Sequence, residues 1–413
     1  MLRSAIEYHQ APGYQGVVAA IRNVPVDLSE QGLLAAARAE TGLDDFGSDG
    51  FLPNLGALLD SLKHDAALNE YGRYAAMMAI VGYLKNRLRA EAFFKRHPEI
   101  LARKITAPVV IIGPFRSGTT HLQRLLAADP RLLHYKFWEL HNPAPRSEWD
   151  GRGRDPRIAE AEQAATGFAA LNPEYAKIHH LDAMEAEEEI ILLGHSFFGI
   201  GFELYWRTPS FGQWCLESDQ DDAYAYMVKL MKLISWHRGD NPNKPLVLKS
   251  PQHLFNLRNL MRVLPDARLV FTHRDPVKTV ASICSLHWNY CLLTTEKLSR
   301  EWIGQEWMRK TAIQFERVIA DRASISPAQQ LDAQYRDLNK DWKREVRRVL
   351  DFAGMPFTAE SEQAMQTYLA RSNEAPAHGG HKYRLADFGL ERERVRNQFA
   401  DYCARYGIAE EAQ

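Results

Sequence analysis

Pro108-Val-Val-Ile-Ile112-Gly-Pro-Phe-Arg116-Ser-Gly118-Thr119-Thr120 is the stretch that decides the fold of this chain. Its first five residues are a short β-branched run, which predicts a buried strand. Gly113 to Gly118 read as a loop. A helix is expected from Thr119, with Leu122, Leu125 and Leu126 on one face and Pro130 as its stop. Strand, glycine loop, helix is an arrangement that holds phosphate, because backbone N–H groups point into the loop and the helix N-terminus adds partial positive charge. Gly113-x4-Gly118-Thr119-Thr120 has the spacing of a P-loop, yet Thr119 stands where that motif has lysine, and the cation is Arg116 inside the loop. A nucleoside triphosphatase needs the lysine on its β- and γ-phosphates, with magnesium. The substitution counts against that chemistry.

Two more strand-to-helix turns follow. Leu246-Val-Leu-Lys249 turns at Ser250-Pro251 into a helix carrying Leu254, Leu257 and Met261, and Arg268-Leu-Val-Phe-Thr272 meets Asp275-Pro276, an N-cap and first helical residue. Strands alternating with helices imply a parallel sheet covered on both faces, so the fold class is α/β, a P-loop-like parallel sheet flanked by helices. Residues 1–105 read as helical: Leu58, Leu59 and Leu62, then Met77, Met78, Val81 and Leu84, recur on one helix face. An N-terminal helical cap over residues 1–105 is therefore expected to precede an α/β domain over residues 106–413.

Composition narrows the function. Hydrophobic residues make up 46% and charged residues 25% of the 413, which supports a sizeable core. A net charge of −1 gives no field for nucleic acid or an anionic membrane, so any anion site must be local. Cys215, Cys284, Cys291 and Cys403 form no CxxC pair, which fits a reducing compartment and no structural metal. Polar residues Glu7, His9 and Gln10 stand where a signal peptide is apolar, and the run from Ala75 to Leu84 is too short for a bilayer. The expectation is a cytoplasmic protein without a transmembrane segment.

Arg116-Ser-Gly-Thr-Thr120 resembles the 5′-phosphosulfate loop of sulfotransferases that use 3′-phosphoadenosine 5′-phosphosulfate (PAPS), in the bacterial and tyrosylprotein-type branches where arginine replaces the lysine of the cytosolic branch. The resemblance implies Arg116 on the 5′-phosphosulfate and Ser117, Gly118, Thr119 and Thr120 around the 5′-phosphate. His121 falls where the cytosolic branch has a tryptophan stacking on adenine. Such a donor carries a single phosphate bearing the sulfuryl group, so an arginine and two threonine hydroxyls suffice, and no metal is expected. His273-Arg-Asp-Pro-Val-Lys-Thr-Val-Ala-Ser282 is similar to the family's 3′-phosphate motif, with Arg274 and Ser282 as the gripping pair. A guanidinium fork suits a terminal phosphate. Lys249 holds the place of the cytosolic branch's catalytic lysine, while Pro251 replaces its histidine base. Asp332-Ala-Gln-Tyr335 resembles the segment whose tyrosine contacts adenine. His378-Gly-Gly-His381-Lys382-Tyr383-Arg384 resembles a C-terminal loop that closes over the 3′-phosphate.

The implied activity is sulfuryl transfer from PAPS to the hydroxyl of a small, partly apolar acceptor, with 3′-phosphoadenosine 5′-phosphate (PAP) as product. Two alternatives are a nucleotide-dependent kinase using the same loop and a non-catalytic nucleotide-binding protein. Arg116 and Lys249 would offset the charge moving through the sulfuryl group. The base must come from elsewhere. His179 and His180 precede Asp182-Ala-Met-Glu185, which reads as a capping box starting a helix; a helix N-terminus favours a neutral imidazole, and the acids from Glu185 to Glu189 push the other way. Glu139 lies near the glutamate base of the tyrosylprotein branch. Of these, His179 ranks first. Phe197, Phe198, Phe202, Tyr205, Trp206, Phe211 and Trp214 offer an apolar acceptor pocket or ordinary core. Gly194-His-Ser196-Phe-Phe198 lacks the glycine of a nucleophile elbow and is rejected.

Overall fold

A computed structural model describes residues 8–146, 151–178, 181–374 and 383–411. Val109–Ile112 (β1) is fully buried, and burying each Val or Ile side chain contributes about 1.5–3 kcal/mol. β1 pairs in parallel with Val247–Lys249 (β2) on one side and Arg268–His273 (β3) on the other. β3 pairs in parallel with Gln330–Gln334 (β4), giving the order β2-β1-β3-β4. All four carboxyl ends therefore share one edge of the sheet. The chain leaves β1 for β2 on one side and β3 on the other, so the switch point, where open α/β sheets bind ligands, falls at the end of β1.

The alternation of β1 divides the core. Val110 and Ile112 join Leu248, Phe271 and the N-terminal helices, including Leu55, Ile80 and Leu84, in one apolar cluster. Val109 and Ile111 face the other way, onto Leu122, Leu125 and Leu126 of the helix Thr119–Ala127 and onto Val346 and Leu350. The N-terminal region thus shares its core with the sheet.

Its longest element, Glu70–Arg96, starts where the Asn69 side chain accepts from the Gly72 amide at 2.7 Å. The same asparagine donates to the Leu293 carbonyl, and its own amide donates to the Thr294 carbonyl. Gly72 is needed there, since a Cβ would lie 2.1 Å from the Thr294 oxygen. This latch lays the helix beside the end of Pro276–Cys291, and a space is left between them. Met78, expected on the apolar core face with Val81 and Leu84, instead looks onto that space, and it is 47% exposed.

Candidate active site

Four elements of the sequence reading meet at the carboxyl edge of the sheet. The phosphate loop follows β1, Lys249 ends β2, Arg274 follows β3 and Tyr335 follows β4.

The loop holds its shape by backbone and hydroxyl bonds. Ser117 is fully buried; its amide and its hydroxyl both donate to the Pro114 carbonyl, and its Oγ lies 2.6 Å from that of Thr272. Arg116 and Gly118 adopt left-handed φ of 67° and 87°. Tyr335 closes over Gly118, where a Cβ would stand 2.8 Å from its ring. Gly118 provides no side-chain cap for the helix Thr119–Ala127, so the first-turn N–H groups are left to face the loop. Arg116 reaches out to donate to the Ile178 carbonyl at 2.9 Å.

Arg274 binds the loop from the other side, donating to the Arg116 carbonyl at 2.8 Å and lying 3.9 Å from the centre of the Tyr335 ring. Its Nε and Nη2 form a two-pronged ion pair with Glu411 at 2.9 Å each. Ser282, in the helix Pro276–Cys291, is 1% exposed, and its Oγ has no hydrogen-bond partner among the described residues. Tyr383 packs partly buried against the core and interacts electrostatically with Arg274. His381 and Lys382 lie outside the described residues.

The capping box expected at Asp182 is a turn instead. Asp182 accepts from the Met184 amide, Ala186 bridges to Lys136 in extended form, and helix begins at Ile190–Leu193. Tertiary partners override the local signal, because each carboxylate of the run meets a different one. Glu185 pairs with Arg371, Glu187 stands 3.9 Å from Arg124, Glu188 pairs with Lys249, and Glu189 accepts from His253 at 2.8 Å. Glu189 also accepts from the Lys249 amide at 2.8 Å, and Tyr224 holds the far nitrogen of His253 at 2.9 Å. Lys249 is completely buried at its post, with Glu188 on its ammonium. Sequence reasoning treated this run as an electrostatic background; the one available signal was three consecutive acids bordering an apolar stretch.

Beyond the loop lies a cavity of about 420 Å³, within the usual range for small-molecule sites. Arg116, Thr119 and Thr120 of the loop line it, as do Glu187 and Glu188. The helix Glu70–Arg96 supplies a wall through Tyr71, Ala75, Met78, Ala79, Gly82 and Asn86, residues three or four apart and hence on one face. Of the aromatic stretch, Phe202, Tyr205 and Trp206 line the cavity, Phe197, Phe198 and Phe211 are core, and Trp214 donates to Asn54. His141 also lines it, and burial lowers its pKa.

Glu139 is held elsewhere. It is 1% exposed, accepts from the Lys136 amide at 2.8 Å and pairs with Arg238 at 3.2 Å; it does not line the cavity. Burial pushes its carboxyl up, against the pull of Arg238. His121 is not among the cavity-lining residues either, and burial lowers its pKa. His179 and His180 lie outside the described residues, although Ile178 lines the cavity. No described helix is long and apolar enough to cross a membrane.

Known proteins resemble this chain in both sequence and fold. The sulfotransferase STF1 from Mycobacterium tuberculosis superposes with a TM-score of 0.79 at 32% identity, over 90% of this chain and 98% of its own. STF9 from Mycobacterium avium gives 0.81 at 25% identity, over 94% and 99%. The omega-hydroxy-beta-dihydromenaquinone-9 sulfotransferase Stf3 of Mycobacterium bovis is 21% identical over 73% of this chain and 75% of its own length. The model of the sulfotransferase family matches residues 108–360, a span that opens just before β1 and passes beyond β4. With the phosphate loop, Lys249 and Arg274 all inside that span, the chain belongs to the sulfotransferase family of enzymes.

Proposed function

We propose that this sulfotransferase takes its sulfuryl group from PAPS and transfers it to the hydroxyl of an acceptor with a sizeable apolar portion. One observation carries the reading: Arg116, Thr119 and Thr120 of the phosphate loop line the same cavity as a largely apolar set of side chains. The residues present fit the donor. Ser282 offers a buried hydroxyl with no described partner, Arg274 sits against the loop, and Gly118 leaves its backbone bare under Tyr335. When bound, PAPS supplies an activated sulfuryl group on a phosphate leaving group. Arg274, Ser282 and Tyr383 would hold the 3′-phosphate side, with Tyr335 beside the nucleotide. Arg116 and the first turn from Thr119 would hold the 5′ side, and Lys249 would offset charge gathering on the departing oxygen. The Mycobacterium bovis relative acts, by its name, on a hydroxylated menaquinone. That precedent supports an acceptor whose hydroxyl ends a lipid-like chain.

Labelled PAPS and a panel of long-chain alcohols, sterols and phenols test this. Expected is a sulfated product formed equally with magnesium or EDTA. Phosphate transfer from ATP that requires magnesium would instead support the kinase. Calorimetry adds a second reading: PAP should bind without metal, and adenosine 5′-phosphate more weakly, because Arg274 loses its charged partner. Equal affinities would remove the 3′-phosphate assignment.

A further inference from the structure

The five residues Glu185-Ala-Glu-Glu-Glu189 present four carboxylates, and their surroundings separate them. Glu185 meets Arg371. Glu189 is 1% exposed and fixed between His253 and the Lys249 amide. Glu187 lines the cavity, but its Oε1 accepts from the Glu188 amide at 3.0 Å while Oε2 faces Arg124. Glu188 lines the cavity with its carboxylate on the Lys249 ammonium, and that side chain keeps 15% exposure. Lys249 ends β2 opposite Ile111, one residue from the end of the strand that feeds the phosphate loop. Glu188 is therefore tied, through Lys249, to the sheet edge from which the phosphate loop rises.

We infer that Glu188 is the general base of the transfer, with Lys249 as the cation that holds it. This rests on the sulfotransferase reading above and deepens it. The acceptor hydroxyl gives its proton to the Glu188 carboxylate as its oxygen bonds to sulfur. The bond from sulfur to the donor's 5′-phosphate oxygen breaks, and that electron pair leaves with the phosphate. The proton passes from Glu188 to solvent, so acceptor and PAPS yield sulfate ester, PAP and one proton. As Glu188 becomes neutral, Lys249 loses its counter-charge while negative charge grows on the departing oxygen. His141 also lines the cavity; its carbonyl accepts from Asn86 of the helix Glu70–Arg96, and its ring lies 5.4 Å from that of Phe137.

The test compares Glu188→Gln with the wild type on two acceptors, a long-chain alcohol and 4-nitrophenol at a pH where the phenol is largely ionised. Turnover of the alcohol should fall by about 10²–10⁴-fold, the scale of a lost base. The phenolate needs no deprotonation, so its turnover should fall by less than about tenfold, and PAP affinity by calorimetry should stay within about threefold. Glu188→Asp, which keeps a charge for Lys249, should recover part of the alcohol activity. Equal losses on both acceptors, or lost PAP binding, would assign Glu188 to support alone. Near-normal alcohol turnover beside an inactive His179→Ala or His141→Ala would move the role to that histidine. A wild type that binds PAP and sulfates neither acceptor would overturn both this inference and the reading beneath it.

Discussion

Around Arg116 the phosphate loop takes its shape from its own backbone, whereas the cavity beyond it takes its shape from side chains gathered between Tyr71 and Thr294. The first region is contiguous in sequence, with two left-handed residues and a serine locked beneath them. The second is assembled from helices whose small and aromatic residues happen to face one space. The difference teaches a division of tolerance. A substitution in the loop changes the conformation that presents every N–H group, while a substitution in the cavity wall changes one patch of shape. Donor binding should be brittle, and acceptor choice should be adjustable.

In the loop, the largest expected effect comes from Arg116→Ala. On the proposed reading its guanidinium meets charge that develops in the transition state, so turnover at saturating PAPS should fall by about 10²–10³-fold, as for other lost oxyanion donors. Arg274→Ala should act mainly through KM, since a grip on the 3′-phosphate is the same in ground and transition states. Steady-state kinetics on both variants checks this. If Arg274→Ala lost turnover and kept KM, the two roles would have to be exchanged.

Gly118→Ala probes the brittleness directly. A methyl group at φ 87° costs about 1–2 kcal/mol of backbone strain. It must also push Tyr335, whose ring stands 2.8 Å from the new Cβ. PAP affinity should drop by roughly 10–30-fold, the affinity equivalent of that strain and somewhat more. Chemical denaturation should show a loss of the same order. Unchanged affinity would mean that the loop's backbone is less decisive than its geometry suggests.

How far each region was legible in the sequence follows the same division. The loop could be read because strand, glycines and helix start lie within thirteen residues, from Pro108 to Thr120, and each obeys a local rule. Asp275 and Pro276 began their helix as expected for the same reason. β4 was not foreseen as a strand: Gln-Leu-Asp-Ala-Gln is half-exposed at the sheet's edge and lacks the β-branched run that marked β1. The Asp182 turn was misread because Arg371, Arg124, Lys249 and His253 draw the following carboxylates apart, and those partners lie far away in the chain. Glu139 had the right neighbourhood in sequence, yet Arg238 and the Lys136 amide hold it away from the cavity. The face of Glu70–Arg96 that lines the cavity was hidden too, since Ala75, Ala79 and Gly82 carry no polar or reactive group to mark them.

Gly82→Leu sharpens the acceptor side of the comparison. A Cβ at Gly82 meets nothing within 4 Å, so the new side chain enters the cavity without backbone conflict. Replacing a mid-helix glycine also removes an entropic penalty of about 0.5–1 kcal/mol, so stability should hold or rise. Long or bulky acceptors should lose about tenfold in kcat/KM, the scale of a few methylenes in an apolar pocket. Short acceptors and PAP affinity should be unaffected. A uniform loss across acceptors would show that the wall shapes the donor end as well.

The smallest effect is expected at Glu411, where the chain's own carboxylate occupies two of the Arg274 donors that the proposed grip on a 3′-phosphate would use. The Glu411 amide donates to Asp275, and its carbonyl accepts from Arg392, so the segment is tied beside the helix Pro276–Cys291. A phosphate must displace this carboxylate before it can take both prongs of Arg274. Ion pairs with this much solvent access are worth about 0.2–1 kcal/mol. Glu411→Gln should therefore tighten PAP by roughly two- to fivefold. Adenosine 5′-phosphate, which has nothing to place at Arg274, should bind as before. Calorimetry with the two nucleotides separates competition from support. If Glu411→Gln weakened PAP, the carboxylate would be orienting Arg274 rather than competing for it, and the donor end would depend on the C-terminal segment as well as on its loop.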